Sequence, residues 1–553
     1  MLRKLRQLTF CDVLLLAALV LVGGFHEYIA CGLSVAMCIF LLLRLRKQTA
    51  AALPKGLFFA ATVAIALGYG ITALWAVDRG MALVGFVKFL PLPLYLLCLR
   101  LEKREGVLLP VLPYLAAVLA VISAIGMVIP ATRELFSVAD RLAGVFQYPN
   151  TFALFLLVGQ LLLLQKPQKK LYDYLTLAVL VAALLYTGSR TVFVVAVLAN
   201  VAMLFTAVKR KGRAVLLALG GAVVLVAVIL AFSENSVIGR FLRFSLTEST
   251  LVGRVLYVRD ALPLLLKHPF GMGYMGYYYI QGSVQTGLYS VMYIHNELLQ
   301  LILDIGWIPT ALLVAALVRW FCQKTVPAGR KILVGAVCLH SLFDFDLQFT
   351  GMFLLLLLLT DQPDPKPQTR KVGKPLKLAA IAAACLSLYL GVALSLAHFG
   401  AWETAALLYP GNTRNTLTML SATEDIAEAD RLADQFLKYN TSYFAPYTMK
   451  AQYAYSQGDF GAVIHYAEQG LAANPLEYQQ YEDYCQMLLV GLQLYIEAGD
   501  NTSAGTCAKA LQGAVKKLSA NEALLSPLGK MIADQPVTQL PPELMEQVQK
   551  VGG

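Results

Sequence analysis

Apolar stretches recur along the first 400 residues, separated by short polar segments, and this pattern leaves the fold few choices. Crossing a bilayer takes about 20 mainly apolar residues, since backbone amides there must pair within the segment. On that rule, spans are predicted at residues 11–25, 28–45, 56–76, 81–99, 106–129, 150–165, 171–187, 191–208, 214–233, 296–320, 330–347, 350–361 and 376–398. Composition points the same way. The chain is 58% hydrophobic and 14% charged, against about 25% charged in soluble domains. The reading is an all-α, polytopic helical membrane protein of about 12–13 spans.

Lys and Arg collect in cytoplasmic loops, so their positions test the count. Arg3, Lys4 and Arg6 precede the first span, and Arg44, Arg46, Lys47 and Lys55 follow the second. Further clusters follow the fourth (Arg100, Lys103, Arg104), the sixth (Lys166, Lys169, Lys170) and the eighth (Lys209, Arg210, Lys211, Arg213). The tenth (Arg319, Lys324, Arg330, Lys331) and the twelfth (Lys366, Arg370, Lys371, Lys374, Lys377) complete the series. Every second loop is basic, which places the N-terminus inside and residues beyond the last span outside. The alternation also accounts for the net charge of +11 without a nucleic-acid partner. Met1–Gln7 and the apolar run after it resemble a signal peptide, but no small-residue cleavage site follows, so an uncleaved first helix is expected. The remaining loops carry Asp78, Arg141, Arg190, Arg254, Arg259, His295 and Asp344, all on the outer side. Polar residues from distant parts of the chain therefore meet one membrane face, as a single active site requires.

Four regions follow: N-terminal transmembrane helices at 1–140, a membrane core at 141–361 with an outer loop at 234–295, a basic linker with the last span at 362–398, and an extracytoplasmic tail at 399–553. The tail has the composition of a soluble helical domain. Its turn residues Asn412, Asn440 and Asn474 are 28 and 34 positions apart, and 34 is the period of the tetratricopeptide repeat. Between Tyr443 and Asn474, Ala451, Tyr455, Gly458, Ala462, Tyr466, Ala467 and Leu471 fall at that repeat's packing positions. Such a stack presents a surface for an envelope protein, or serves as a passive cap. Cys485 and Cys507 either bridge two tail helices or remain buried thiols.

The longest polar interruption of the apolar region runs from Ser249 to Gly306. Ionisable groups at membrane depth are costly and usually functional. Gly253–Leu266 has apolar residues at helical spacing and reads as an amphipathic helix on the outer surface. Its Arg254 offers a bidentate fork to a diphosphate. Arg259 lies five residues on, about 140° around the helix, so the two do not address one ligand. Arg190 ends the link Thr187-Gly188-Ser189-Arg190, where a guanidinium and a tight turn can face an anion. His295 and Asn296 open an apolar helix, and a histidine there suits general-base work near neutral pH. Asp344 is the rival base, with His340 one helical turn before it. No residues show metal-ligand spacing.

Arg141–Ala153, Thr187–Arg190, Gly253–Gly273, His295–Gly306 and His340–Phe345, taken together and in this order, resemble the O-antigen ligase and polysaccharide-polymerase superfamily. The resemblance covers about residues 140–350. It implies a glycosyltransferase without cofactor or obligatory metal, moving a glycan from an undecaprenyl diphosphate carrier to an acceptor glycan, lipid or protein. It also implies that Arg190 and Arg254 hold the diphosphate and that His295 acts on the acceptor, with Arg141, Arg259, Asn296 and His340 as secondary candidates. Pro309 departs from the small or hydroxyl residue usual three positions after Gly306, which weakens the ligase reading relative to polymerase or a related transfer. The competing class is a transporter or flippase, or an envelope-assembly scaffold.

Overall fold

The computed structural model describes residues 7–46, 50–102, 107–207, 249–361, 369–371, 373–532 and 534–552. The span predicted at 214–233 and the first part of the outer loop, 234–248, lie outside these residues.

The membrane part begins with α1 (Phe10–Val20), α2 (Glu27–Leu45), α3 (Leu57–Thr72), α4 (Arg79–Phe89), α5 (Pro91–Leu101) and α6 (Leu108–Val128). It continues with α7 (Pro149–Leu164), α8 (Leu171–Tyr186), α9 (Arg190–Ala207), α10 (Ser249–Lys267), α11 (Gly276–Val284) and α12 (Glu297–Ile305). The last members are α13 (Trp307–Phe321), α14 (Ala328–Ser341), α15 (Thr350–Thr360) and α16 (Lys374–His398). Among the described residues, four stretches are long and apolar enough to cross a membrane unaided: α2, the run Arg79–Leu101, α6 and α16. Thr9 caps α1 in a reciprocal capping box with Asp12. Asp12 also accepts from the Val107 and Leu108 amides, so one carboxylate caps α1 and the start of α6.

The core lies around α7 and α15, where nearly every side chain is buried. A helix apolar on all sides belongs inside a bundle. At the far end of α7 from Tyr148, a cavity of about 1050 Å³ opens between α6, α7 and α8, walled mostly by apolar side chains such as Val118, Leu162 and Leu175.

Two predicted spans are broken. Residues 296–320 divide at Gly306, whose φ of +83° ends α12; a Cβ there would meet the backbone of Pro269 and Phe270. The chain from Phe270 to Gly273 passes across the end of α12, with the Met272 amide donating to Leu303 O at 2.6 Å and the Gly273 amide to Asp304 O at 2.9 Å. Residues 330–347 end as helix at Ser341, and the next residues form a loop leading to a 3₁₀ turn at Asp346–Gln348.

Two small antiparallel ladders complete the membrane part. β1 (Ala50–Ala52) pairs with β4 (Thr369–Lys371), and β2 (Ser137–Val138) with β3 (Arg141–Leu142). In the second, Ala139 and Asp140 both have positive φ, the requirement of a two-residue hairpin turn with the twist of its strands, and the hairpin presents Arg141.

The tail consists of α17 (Trp402–Leu408), α18 (Thr413–Ala422), α19 (Ile426–Leu437), α20 (Ala445–Ser456), α21 (Phe460–Ala473), α22 (Tyr478–Glu497), α23 (Asn501–Ala520) and α24 (Pro542–Gly552). Each of α17 to α24 packs on its neighbour in sequence. Asn412, Asp425, Asp459 and Asp500 cap helix starts with their side chains. Of the predicted packing residues, Ala451, Ala467 and Leu471 are core and Ala462 and Tyr466 pack partly buried against it, whereas Tyr455 and Gly458 are exposed. Cys485 and Cys507 are buried free thiols.

Candidate active site

Asp344 lies in the loop after α14, with no exposed surface, and five donors converge on its two oxygens. Oδ1 accepts from Tyr148 Oη at 2.8 Å and the Phe345 amide at 3.0 Å, and lies 3.1 Å from His295 Nδ1. Oδ2 accepts from Asn150 Nδ2 at 2.7 Å and from Arg254 Nη2 at 3.4 Å. Burial pushes this carboxyl up, but the His295 hydrogen bond and the charges of His295 and Arg254 hold it well below the usual carboxylate range. It is an anion buried among its partners.

Four separate chain segments deliver these donors. Tyr148 and Asn150 flank Pro149, the first residue of α7, where the fixed proline φ suits a helix start. Arg254 comes from the first turns of α10, and His295 from the loop that enters α12. Asn296 caps α12 by accepting from the Leu299 amide at 3.0 Å. Its role is to end the loop just past His295.

His295 and Arg254 each keep about a fifth of their side-chain surface exposed, 22% and 23%, while the carboxylate between them has none. With Nδ1 turned to Asp344, the neutral tautomer favoured is the one protonated on that nitrogen, which leaves the lone pair on Nε2. Phe345 packs beside the ring at 5.2 Å between centroids, and Tyr257 approaches at 6.3 Å.

Arg141 joins the group from the β2–β3 hairpin. Its Nη2 donates to Asn150 Oδ1 at 2.7 Å and its Nε to Thr187 O at 2.8 Å. This second bond docks the hairpin on the Thr187–Arg190 link, where Gly188 takes a φ of +63°. Arg190 follows as the first residue of α9, half-buried. Burial lowers the Arg141 guanidinium, and the positive charges of Arg254 and Arg190 lower it further, so the three arginines share one field.

His340 does not pair with Asp344. Its helix ends at Ser341, the turn spacing no longer applies, and the ring instead sits with Nδ1 2.7 Å from Asp346 Oδ2 and Nε2 3.1 Å from Thr191 Oγ1. Asp346 also accepts from Thr151 Oγ1 at 2.9 Å and Ser341 Oγ at 3.3 Å. That second carboxylate ties α7, α9 and α14 together beneath the first. Arg259 points elsewhere, donating to Thr286 Oγ1 at 2.8 Å. Sequence reasoning passed over Tyr148 and Asn150; the signal available was two polar residues bracketing a proline at the mouth of an apolar helix. Among the described residues, no group of three or more His, Cys, Asp or Glu side chains is arranged to hold a metal ion.

Arg190, Arg254 and His295 all fall within residues 175–314, which match the family model described as O-antigen ligase. No curated protein matches the chain. With its long apolar helices, the match supports a membrane protein with a glycan-processing function of the O-antigen-ligase type, acting on a lipid-linked glycan and an acceptor.

Proposed function

We propose that this protein is a glycosyltransferase of the cytoplasmic membrane that moves a glycan from an undecaprenyl diphosphate carrier to an acceptor on the outer face. The observation that carries this reading is the arrangement around Asp344: an imidazole and a guanidinium, each about a fifth exposed, held on opposite oxygens of one buried carboxylate.

The chemistry divides along that arrangement. The departing group is a lipid diphosphate, whose growing charge needs cationic donors. Arg254 and Arg190 supply it, and Arg141 adds to the positive field while fixing the turn before Arg190. The acceptor hydroxyl must lose a proton as it attacks the anomeric carbon. His295 Nε2 takes it, and Asp344 stabilises the resulting imidazolium through Nδ1, as the orienting carboxylate does in Ser-His-Asp systems. Asp344 itself has its oxygens occupied by five donors, which favours His295 over Asp344 as the base.

The alternating basic loops support an inside N-terminus and an outside site and tail. The 34-residue spacing supports reading the tail as tetratricopeptide-like.

The test is reconstitution in proteoliposomes with extracted polyprenyl-diphosphate glycan, following release of lipid diphosphate. Acceptor-dependent release by the wild type and its loss in Arg254→Ala, with insertion and yield unchanged, is the expected result. Undiminished release by Arg254→Ala would remove that arginine from the diphosphate site.

A further inference from the structure

The tail meets the membrane part through rings, as where Tyr278 and Tyr279 meet Tyr443, and, among the described residues, through three sets of polar contacts made from its helix ends and turns. Asp78, at the start of α4, accepts from Thr413 Oγ1 at 2.6 Å and Asn440 Nδ2 at 3.1 Å, and Gly80 lies so close to Gly411 that a Cβ would collide with its carbonyl. Gln285 donates to Asn474 at 3.3 Å, and the Ser526 amide donates to Thr286 O at 3.0 Å. The third contact is an ion pair carried inward. Arg414, from the first turn of α18, places Nη1 3.0 Å from Glu27 Oε1.

That ion pair heads a continuous chain of hydrogen bonds. Tyr274 Oη donates to the same Glu27 oxygen at 2.7 Å and lies 2.6 Å from Tyr293 Oη. Lys88 Nζ donates to both phenols, at 2.9 and 3.2 Å. Tyr274, Tyr293 and Lys88 are almost wholly buried. Tyr293 stands two residues before His295, and its ring lies 5.3 Å from Phe345, the ring that packs on His295.

The segment that carries His295, between α11 and α12, has no helix or strand of its own. Side chains hold it instead: Gln281 accepts from the Val291 amide at 2.9 Å and Gln300 from the Ile294 amide at 2.8 Å. The tail grips its beginning through Ser526 and its end through the Arg414 chain.

We infer that Arg414 is a positioning residue for His295, and that the tail is a fixed clamp on the active-site loop rather than only a surface for other proteins. Without the guanidinium, Glu27 loses its direct ion-pair partner and keeps only the Tyr274 hydrogen bond and the charge of Lys88 behind it, and a buried carboxylate so weakened is relieved by rearrangement. The first groups able to rearrange are Tyr274 and Tyr293. This role for Arg414 rests on the reading of His295 as the acceptor base.

The test uses the full-length protein in proteoliposomes, with Arg414→Gln and Arg414→Lys and two independent readouts. The first is amide hydrogen exchange over residues 289–296 with no substrate present. The second is turnover with the polyprenyl-diphosphate glycan. Arg414→Gln is expected to speed exchange in that segment and to lower kcat by at least about tenfold, since small displacements of a reacting group cost that much. KM for the lipid donor is expected to stay within about twofold, because the donor arginines are untouched. Arg414→Lys, keeping the charge, recovers most of both. Should Arg414→Gln not accumulate, Glu27→Gln keeps an acceptor for Tyr274 while removing the charge that Arg414 pairs with, and the same split is expected. Unchanged exchange, or kcat equal to wild type, overturns the inference. Loosened exchange alongside a wild type that never releases lipid diphosphate leaves the clamp standing and overturns the transferase reading.

Discussion

Five donors on the two oxygens of Asp344 make its charge and its shape separately testable. Asp344→Asn keeps the volume but replaces one acceptor with a donor, which then faces either His295 or the Arg254–Asn150 pair. Turnover in proteoliposomes is expected to fall by about 10²–10⁴-fold, as when an orienting carboxylate is neutralised. Tyr148→Phe removes a single hydrogen bond to that anion, of about 1.5–3 kcal/mol. Its effect is expected to be smaller, about tenfold, in the same assay, and an effect equal to that of Asp344→Asn would show Tyr148 acting directly on substrate. Arg254 and His295 were legible in the sequence because charge and imidazole stand out in an apolar chain. Tyr148 and Asn150 were not, because uncharged polar residues at a helix start are common. His340 was matched to the wrong carboxylate because the one-turn spacing assumed a helix that stops at Ser341.

Short connections fix where the elements bring these side chains. Gly306, at φ +83° and against the backbone of Pro269 and Phe270, lets α12 end where the chain from Phe270 to Gly273 crosses it. Gly306→Ala is expected to cost about 1–3 kcal/mol through backbone strain and crowding, read as a lower thermal midpoint in detergent. Asp78 makes a pH prediction at the junction of α4 with the tail. Burial raises its pKa to about 6, against the lowering effect of the hydrogen bonds from Met81, Thr413 and Asn440. The folded state then holds this proton more tightly than the unfolded state. Its stabilising contribution is full below about pH 4. It is lost as pH rises through about 6. Protection of the α18 amides from exchange should therefore weaken between pH 4 and 6, and Asp78→Asn should flatten that dependence. Among the described residues, helices at the predicted apolar spans were legible from hydropathy. Breaks at Gly306 and Ser341 were not, because they come from chain segments that cross the helix ends, and a window average does not register them.

The whole molecule joins a helical bundle built around α7 and α15 to a tail of helices that rests on the segments carrying Asp78, Glu27 and Gln285. Sequence periodicity could separate the two parts at Phe399, since composition changes there. It could not show their docking, which depends on Asp78, Glu27 and Gln285 meeting residues more than 180 positions later. The site inherits both parts: the bundle supplies Asp344 and the arginines, and the tail grips the loop of His295. In the proposed mechanism His295 and Asp344 act as one catalytic unit. A double-mutant cycle measures it, following acceptor-dependent release of lipid diphosphate by wild type, His295→Ala, Asp344→Asn and the double variant. Groups that act as a unit are not additive, so the double variant should be no slower than the slower single one. Losses that multiply, or release that none of the variants diminishes, would contradict the account.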